Sequence, residues 1–333
     1  MRPSRTLIAL SSAALLLVGV AAASPNLLGR HVSAGIAALA GANSNWLALS
    51  VLGFLAAFGC TVGAWRAALA AAGGPVGARD AAARLGLGSL VNSFAPAKIG
   101  DALKIALLAR VIDAPGRLWT TSGVYAALAA ARALALAGLL VAASATGALP
   151  LWPVFALCGA VALLAVAAAV FPRWRRDARI MRLLDGFAAL ERSPRAAARV
   201  LAWTAAMVTA RLGATVAVTM ALGLPHPLLA ALVVLSALDL AGVVPLTPGS
   251  FGVGSGAVAV VLASRGIGTA DALGVGIAMQ AVETLVSIGV GTAGALYLAR
   301  PGERVRLWAI RVGAVGAAAA GAAVVSAAVV ALT

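Results

Sequence analysis

Asn92-Ser93-Phe94-Ala95-Pro96-Ala97-Lys98-Ile99-Gly100 interrupts the apolar stretch 83–110 near its middle. A second break, Pro245-Leu246-Thr247-Pro248-Gly249-Ser250-Phe251-Gly252, interrupts the apolar stretch 229–265. Both breaks contain the pattern P-x-x-x-G. Proline removes a helix donor and biases the preceding residue away from helical geometry, while glycine lets the chain turn. Each stretch is therefore predicted to form two half-helices that meet at a tip.

These half-helices are too short to cross a bilayer. At about 1.5 Å per residue, a half-helix of about 11 to 16 residues reaches only part of the way across a hydrocarbon core of about 30 Å. We therefore expect two re-entrant hairpins, 83–110 and 229–265, that dip into the membrane and return.

The rest of the chain predicts full membrane spans. Of its 333 residues, 62% are hydrophobic and 11% are charged, and the mean hydropathy is +1.03, which is far more apolar than a soluble domain of this length. The fold class is thus an all-α polytopic membrane protein with about seven full spans. They are expected at 7–23, 46–65, 119–143, 152–171, 200–222, 272–298 and 309–332.

The net charge of +15 comes from loops between these spans. Alternate connections hold 21 of the 25 lysines and arginines, and the intervening connections hold only Arg30 and Arg265. This segregation favours an orientation signal over nucleic-acid binding. It predicts a multi-pass protein of the cytoplasmic membrane, with the N-terminus in the cytoplasm and the C-terminus outside. The 17-residue apolar run of the first span predicts a retained anchor, since it is longer than the usual core of a signal peptide.

The two hairpins occupy corresponding places in two repeats within a single transmembrane domain, 1–333. Repeat 1 covers about 7–143, repeat 2 covers about 152–298, and 309–332 is an extra helix. Three spans separate the hairpins, so the hairpins must enter from opposite sides of the membrane. An inverted repeat of this kind is typical of transporters that bind substrate near the midplane.

Four ionisable residues lie inside apolar segments, namely Arg132, Arg211, Asp239 and Glu283. A charge at this depth costs about 3 kcal/mol even on the insertion scale, so each is expected to have a partner or a wet cavity. Two interpretations stay open: ion pairs that lock the two halves together, or a substrate site. In either case an arginine should lie within salt-bridge reach of an acid.

Each tip also has candidate ligands of its own. The half-helix after Pro96 points its free N–H groups toward the first tip, and Lys98 and Lys104 add positive charge, so a phosphate would be stabilised there. An interfacial helix with an i, i+3 ion pair is the alternative for Lys98, Asp101 and Lys104. At the second tip, Thr247, Ser250 and Ser255 offer hydroxyls beside several glycines.

Both breaks resemble the transmembrane, flippase-like region of lysylphosphatidylglycerol synthases and their stand-alone relatives, over nearly the whole chain. The family pattern N-x-x-x-P-G-R-x-G-E-x-x-R stands here as Asn92, Pro96, Ala97, Lys98, Gly100, Asp101 and Lys104. The second pattern, P-x-x-P-G-G-x-G-x-x-E, keeps Pro245, Pro248, Gly249 and Gly252, but has Ser250 in place of its second glycine and Ser255 in place of its glutamate. The family arginine after the first hairpin is matched by Arg132, and the later one by Gln280.

This resemblance implies movement or binding of lipids with phosphate-bearing head groups. The first hypothesis is a lipid transporter that binds an anionic phospholipid or a polyprenyl-phosphate lipid between the hairpin tips. The second is a membrane scaffold that presents lipid to a separate lipid-modifying enzyme, with the basic connection 172–199 as its docking face. An intramembrane enzyme ranks third, with Asp239 and Glu283 as its only candidate acid/base pair.

We therefore expect no enzymatic activity, no cofactor, no metal and no nucleic-acid partner. The candidate substrate-binding residues are Asn92, Lys98, Asp101, Lys104, Arg132, Arg211, Asp239, Thr247, Ser250, Ser255, Gln280 and Glu283.

Overall fold

The computed structural model describes residues 41–94, 99–113, 115–145, 147, 187–241 and 253–299. Within these ranges the chain is helical, with no strand, as the sequence predicts. The predicted spans 7–23, 152–171 and 309–332 lie outside the described residues, as do both tips, with Lys98, Thr247 and Ser250.

Eight helices of eleven residues or more build the described part of the chain. They are α1 (Ser44–Ala71), α2 (Ala78–Phe94), α3 (Ile99–Ala109), α4 (Arg117–Ala145), α5 (Pro194–Ala221), α6 (Pro227–Ala241), α7 (Val253–Ala263) and α8 (Thr269–Leu298).

Four of these helices are long and apolar enough to cross a membrane by length and composition, namely α1, α4, α5 and α8. They coincide with the predicted spans 46–65, 119–143, 200–222 and 272–298, although α5 ends one residue before its predicted bound. Two of them have polar caps that fix where they begin. Asn43 accepts a hydrogen bond from the backbone N–H of Asn45, and Ser193 accepts one from Ala196 ahead of α5. Such caps satisfy donors that the first turn of a helix leaves free.

Each predicted hairpin contains two shorter helices, as expected. The first comprises α2 with 17 residues and α3 with 11, and the second comprises α6 with 15 and α7 with 11. At about 1.5 Å per residue these helices are roughly 17 to 26 Å long, less than the core of a bilayer. The two helices of each pair pack against each other.

The most extensive helix contact in the described part of the chain joins α1 to α5. These helices run antiparallel, because residues later in α1 contact residues earlier in α5. Asn43 N donates to Ala221 O at 3.0 Å, Gly53 lies against Ala214, and Gly63 lies against the indole of Trp203. A Cβ at Gly63 would lie 2.5 Å from Trp203 Cδ2, so glycine is what allows this close approach.

Helix packing in the first half of the chain, α1 to α4, corresponds to packing in the second half, α5 to α8. When the halves are exchanged, the contact of α1 with α2 matches that of α5 with α6, and α3 with α4 matches α7 with α8. Contacts between the halves match as well: α2 with α8 corresponds to α6 with α4, and α1 with α8 corresponds to α5 with α4.

Each half contributes one main apolar cluster. One cluster surrounds Val234, Val258 and Met279 on α6, α7 and α8. The other surrounds Leu69 and Leu85 on α1 and α2, with Val124 on α4.

Candidate functional site

A cavity of about 470 Å³ lies between the two halves of the protein. Its walls come from α1, α2, α3, α4, α5 and α8. On α1 the lining residues run from Phe54 to Trp65, on α4 from Tyr125 to Arg132, and on α5 from Thr204 to Arg211. The cavity therefore extends from the middle of these helices toward the end of the bundle where α1 ends and α4 and α5 begin.

Four charged side chains form a continuous chain of ion pairs at the deep end of the cavity. Arg132 Nη2 lies 2.6 Å from Asp239 Oδ1, Arg211 Nη1 lies 2.8 Å from the same oxygen, and Arg211 Nη2 lies 3.0 Å from Glu283 Oε1. The four residues belong to α4, α6, α5 and α8, so both halves contribute. The prediction that an intramembrane arginine pairs with an intramembrane acid is confirmed.

The four ion-paired side chains differ in exposure and form an inner pair and an outer pair. The side chains of Asp239 and Arg211 are 7% and 12% exposed, whereas those of Glu283 and Arg132 are 36% and 45% exposed. Arg132 and Glu283 line the cavity, while Asp239 lies behind Arg132 and is not among the lining residues. The inner pair thus holds the helices together, and the outer residues present one positive and one negative group to the cavity.

A second polar cluster is centred on Asp101, near the first tip. Asp101 Oδ1 accepts hydrogen bonds from Asn92 Nδ2 at 2.8 Å and from Lys104 Nζ at 2.9 Å. Its other oxygen, Oδ2, accepts one from the Tyr125 hydroxyl at 3.0 Å. The i, i+3 ion pair considered from the sequence is therefore present. Because Lys104 is only 17% exposed and is neutralised by Asp101, it is not a free cation that waits for a phosphate.

Close packing of glycines positions this second cluster. A Cβ on Gly100 would collide with the carbonyl oxygen of Gly88 and with the amide group of Asn92. Glycine at position 100 therefore lets α2 and α3 approach closely enough for Asn92 to reach Asp101. This contact gives a physical reason for the glycine that closes the first break.

Sequence reasoning missed Tyr125. The signal was available, because Tyr125 lies seven residues before Arg132 and residues at that spacing share one face of a helix. It also missed six hydroxyl side chains of the cavity wall, which look like ordinary members of apolar helices. They are Thr61, Ser89, Ser93, Thr204, Thr284 and Ser287.

Two of the residues predicted from the sequence as substrate ligands, Gln280 and Glu283, line the cavity. Ser255 is on α7, where its backbone packs against Gly276, and it is not among the lining residues. The described helices of the second hairpin contribute no wall of this cavity. The predicted site between the two hairpin tips stays a prediction, because both tips lie outside the described residues.

Apolar and aromatic side chains also line the cavity. Phe54, Phe58 and Met207 line it, and the rings of Trp65 and Tyr125 lie 6.2 Å apart at an angle of 36°. A cavity lined by both charged and apolar side chains suits an amphipathic ligand.

The chain matches a known protein family. A family model described as the lysylphosphatidylglycerol synthase TM region matches residues 7–291. Neither the curated proteins nor the solved structures contain a match to the chain.

Proposed function

We propose a lipid-transport function for this chain, which belongs to the family of the lysylphosphatidylglycerol synthase transmembrane region. The chain is a multi-pass membrane protein, and its family relates it to lipid handling. The proposed activity is flippase-like movement of a lipid whose phosphate-bearing head group passes through the cavity. Anionic phospholipids and polyprenyl-phosphate lipids both present such a group.

The observation that carries this proposal is the exposed guanidinium of Arg132. It lies at the middle of a membrane-spanning helix, it lines the cavity, and its 45% exposed side chain leaves donors besides the Nη2 that contacts Asp239. A charge at that depth is unfavourable without a function or a partner. Arginine also offers the planar donor geometry that phosphate oxygens prefer. Arg132 therefore replaces Lys98 and Lys104 as the main phosphate ligand in our proposal.

We also propose that the two halves form an inverted repeat. The antiparallel run of α1 and α5 and the matched contacts of the halves support it. The state described here is asymmetric, because α2 packs on α8 far more extensively than α6 packs on α4. In the alternative arrangement, α6 would pack on α4 as extensively as α2 packs on α8 here. Exchange between the two arrangements would move the opening of the cavity from one side of the membrane to the other.

The orientation follows from the distribution of arginines. If the positive-inside rule holds, the end of the bundle at which α1 ends and α5 begins faces the cytoplasm. The cavity would then extend from the midplane toward the cytoplasm, and a head group would enter from the inner leaflet.

Reconstitution tests the proposal. The full chain in phosphatidylcholine vesicles should move phosphatidylglycerol with a fluorescent acyl chain between leaflets. Arg132→Gln should slow this movement by about tenfold or more, since it removes a charge-assisted contact. Arg132→Lys should retain part of the rate. The exposed Arg195 at the start of α5 provides the matched control, and Arg195→Gln should leave the rate unchanged.

Two outcomes would contradict the proposal, the first only the role of Arg132 and the second transport itself. Equal rates for the wild type and Arg132→Gln would leave transport intact but remove Arg132 as the phosphate ligand. If no probe moves and a defined lipid nevertheless copurifies, the protein is a scaffold that presents lipid to a separate enzyme.

A further inference from the structure

The charged side chains described around the cavity balance each other. The chain of ion pairs at the deep end contains two arginines and two acids. The polar cluster near the first tip adds one cation, Lys104, and one acid, Asp101. Both groups are therefore neutral overall when each side chain carries its ordinary charge.

An anionic head group would upset this balance. The proposed phosphate ligand, Arg132, is already paired with Asp239, so a phosphate that binds it adds a negative charge to a neutral group of side chains. These side chains lie within membrane helices, where an uncompensated charge is strongly unfavourable. A complex that crosses the membrane therefore needs one more positive charge or one negative charge fewer.

Glu283 is the acid whose protonation would disturb the described structure least. Its one ion pair among the described residues is with Arg211, at 3.0 Å, and Arg211 keeps its contact with Asp239 when Glu283 is neutral. The side chain of Glu283 is 36% exposed and lines the cavity. A proton can therefore reach it through water that enters the cavity.

The other two acids are held by more contacts. Asp239 contacts both arginines through one oxygen, is 7% exposed and is not among the lining residues. Protonation of Asp239 would weaken both arginine contacts. Asp101 accepts hydrogen bonds from Asn92, Lys104 and Tyr125, and protonation would weaken all three.

The surroundings of Glu283 are described on every helix that packs against α8. These helices are α1, α2, α5 and α7. The lining residues of α1 and α2 carry no charge, α7 contains no charged residue, and α5 contributes Arg211. Across the cavity, α3 and α4 contribute the titratable residues Asp101, Lys104, Tyr125 and Arg132. Two arginines thus offset the charge of Glu283, and a phosphate at Arg132 removes part of that offset.

We infer that Glu283 binds one proton when an anionic head group occupies the cavity, so that lipid and proton cross the membrane together. The proton comes from water on one side, binds a carboxylate oxygen of Glu283, and returns to water on the other side when the head group leaves. No covalent bond of the lipid changes. The inference rests on the proposed transport function and assigns its coupling ion.

Joint movement of one proton and one singly charged lipid transfers no net charge. A pH gradient should therefore drive the lipid toward the more alkaline side, whereas a membrane potential alone should not drive it. Because a gradient acts on both directions of exchange, this result does not depend on how the protein is oriented in a vesicle.

Vesicles with a pH gradient test the inference. The full chain is reconstituted in phosphatidylcholine vesicles with a trace of phosphatidylglycerol that carries a fluorescent acyl chain. The share of this probe in each leaflet is measured at equal pH and with the interior more alkaline. For a difference of about one pH unit, the wild type should accumulate the probe about tenfold in the inner leaflet, since both gradients then have the same free energy. Protein-free vesicles give the background.

Three variants assign the coupling to Glu283. Glu283→Gln should abolish the accumulation, because its carboxamide cannot bind and release the proton. Glu283→Asp, which keeps the carboxylate, should retain part of the accumulation even if Glu283→Gln folds poorly. Asp271 is an exposed acid in the first turn of the same helix and is not among the lining residues of the cavity. Asp271→Asn is the matched control and should accumulate the probe as the wild type does.

The inference fails if the wild type moves the probe but a pH gradient leaves it evenly distributed, or if Glu283→Gln accumulates it as the wild type does. If no probe moves, the transport function fails, and proton uptake by the purified protein in weakly buffered detergent decides the inference. Phosphatidylglycerol should then cause the uptake of about one proton per protein, as one added negative charge predicts, and phosphatidylcholine should cause none. No uptake, or equal uptake by Glu283→Gln, would overturn the assignment of Glu283.

Discussion

The Tyr125 hydroxyl donates a hydrogen bond of 3.0 Å to Asp101 Oδ2. This contact joins α4 to the second helix of the first hairpin, and both residues line the cavity. It also holds in place the carboxylate that neutralises Lys104.

Tyr125→Phe should therefore destabilise the protein. It removes a hydrogen bond to a charged group while keeping the aromatic ring beside Trp65, and the loss should be about 1 to 2 kcal/mol. The measurement is the free energy of unfolding in a detergent titration. Tyr297, the other tyrosine of the chain, is 57% exposed, and Tyr297→Phe should have no effect. Equal stability of the two variants would show that the contact with Asp101 contributes nothing.

Two glycines of α8 should respond differently to a single added methyl group. A Cβ at Gly294 would collide with the backbone of Ala83 on α2, whereas a Cβ at Gly289 would meet nothing within 4 Å. Gly294→Ala should cost about 1 to 3 kcal/mol because a backbone cannot move aside as a flexible side chain can.

Gly289→Ala, on the same helix, should keep the wild-type stability or raise it slightly, since alanine has the higher helix propensity. Both variants can be compared by thermal unfolding in one detergent. If Gly294→Ala unfolds at the wild-type temperature, the close packing of α2 on α8 does not limit the stability of the protein.

The orientation of the chain can be tested at two exposed positions. The split of basic residues predicts that the connection before α5 faces the cytoplasm and that the connection after α4 faces outside. In a background without Cys60 and Cys158, Ala145→Cys should react with an impermeant thiol reagent added to intact cells. Glu191→Cys should react only after the cells are opened. Labelling of Glu191→Cys in intact cells would reverse the assigned topology.

Much of the fold could be predicted because its signals are local in the sequence. The four described candidate spans, α1, α4, α5 and α8, follow from apolar runs of sufficient length, and the division of two further apolar stretches into shorter helices follows from prolines and glycines at their breaks. The need for partners at Arg132, Arg211, Asp239 and Glu283 also followed, because a charge inside a membrane is unfavourable whatever its neighbours are.

Only the tertiary structure decided which partners meet. An apolar helix has almost no polar side to mark the direction it faces, so its sequence does not say how it is rotated against its neighbours. That rotation pairs Arg132 with Asp239 across 107 residues and brings Tyr125 to Asp101. Among the described cations that line the cavity, Arg132 is the most exposed. The sequence by itself determined the helices, their breaks and the need for charge pairing, whereas close helix packing through residues such as Gly88 and Gly100 decided which charges face the cavity.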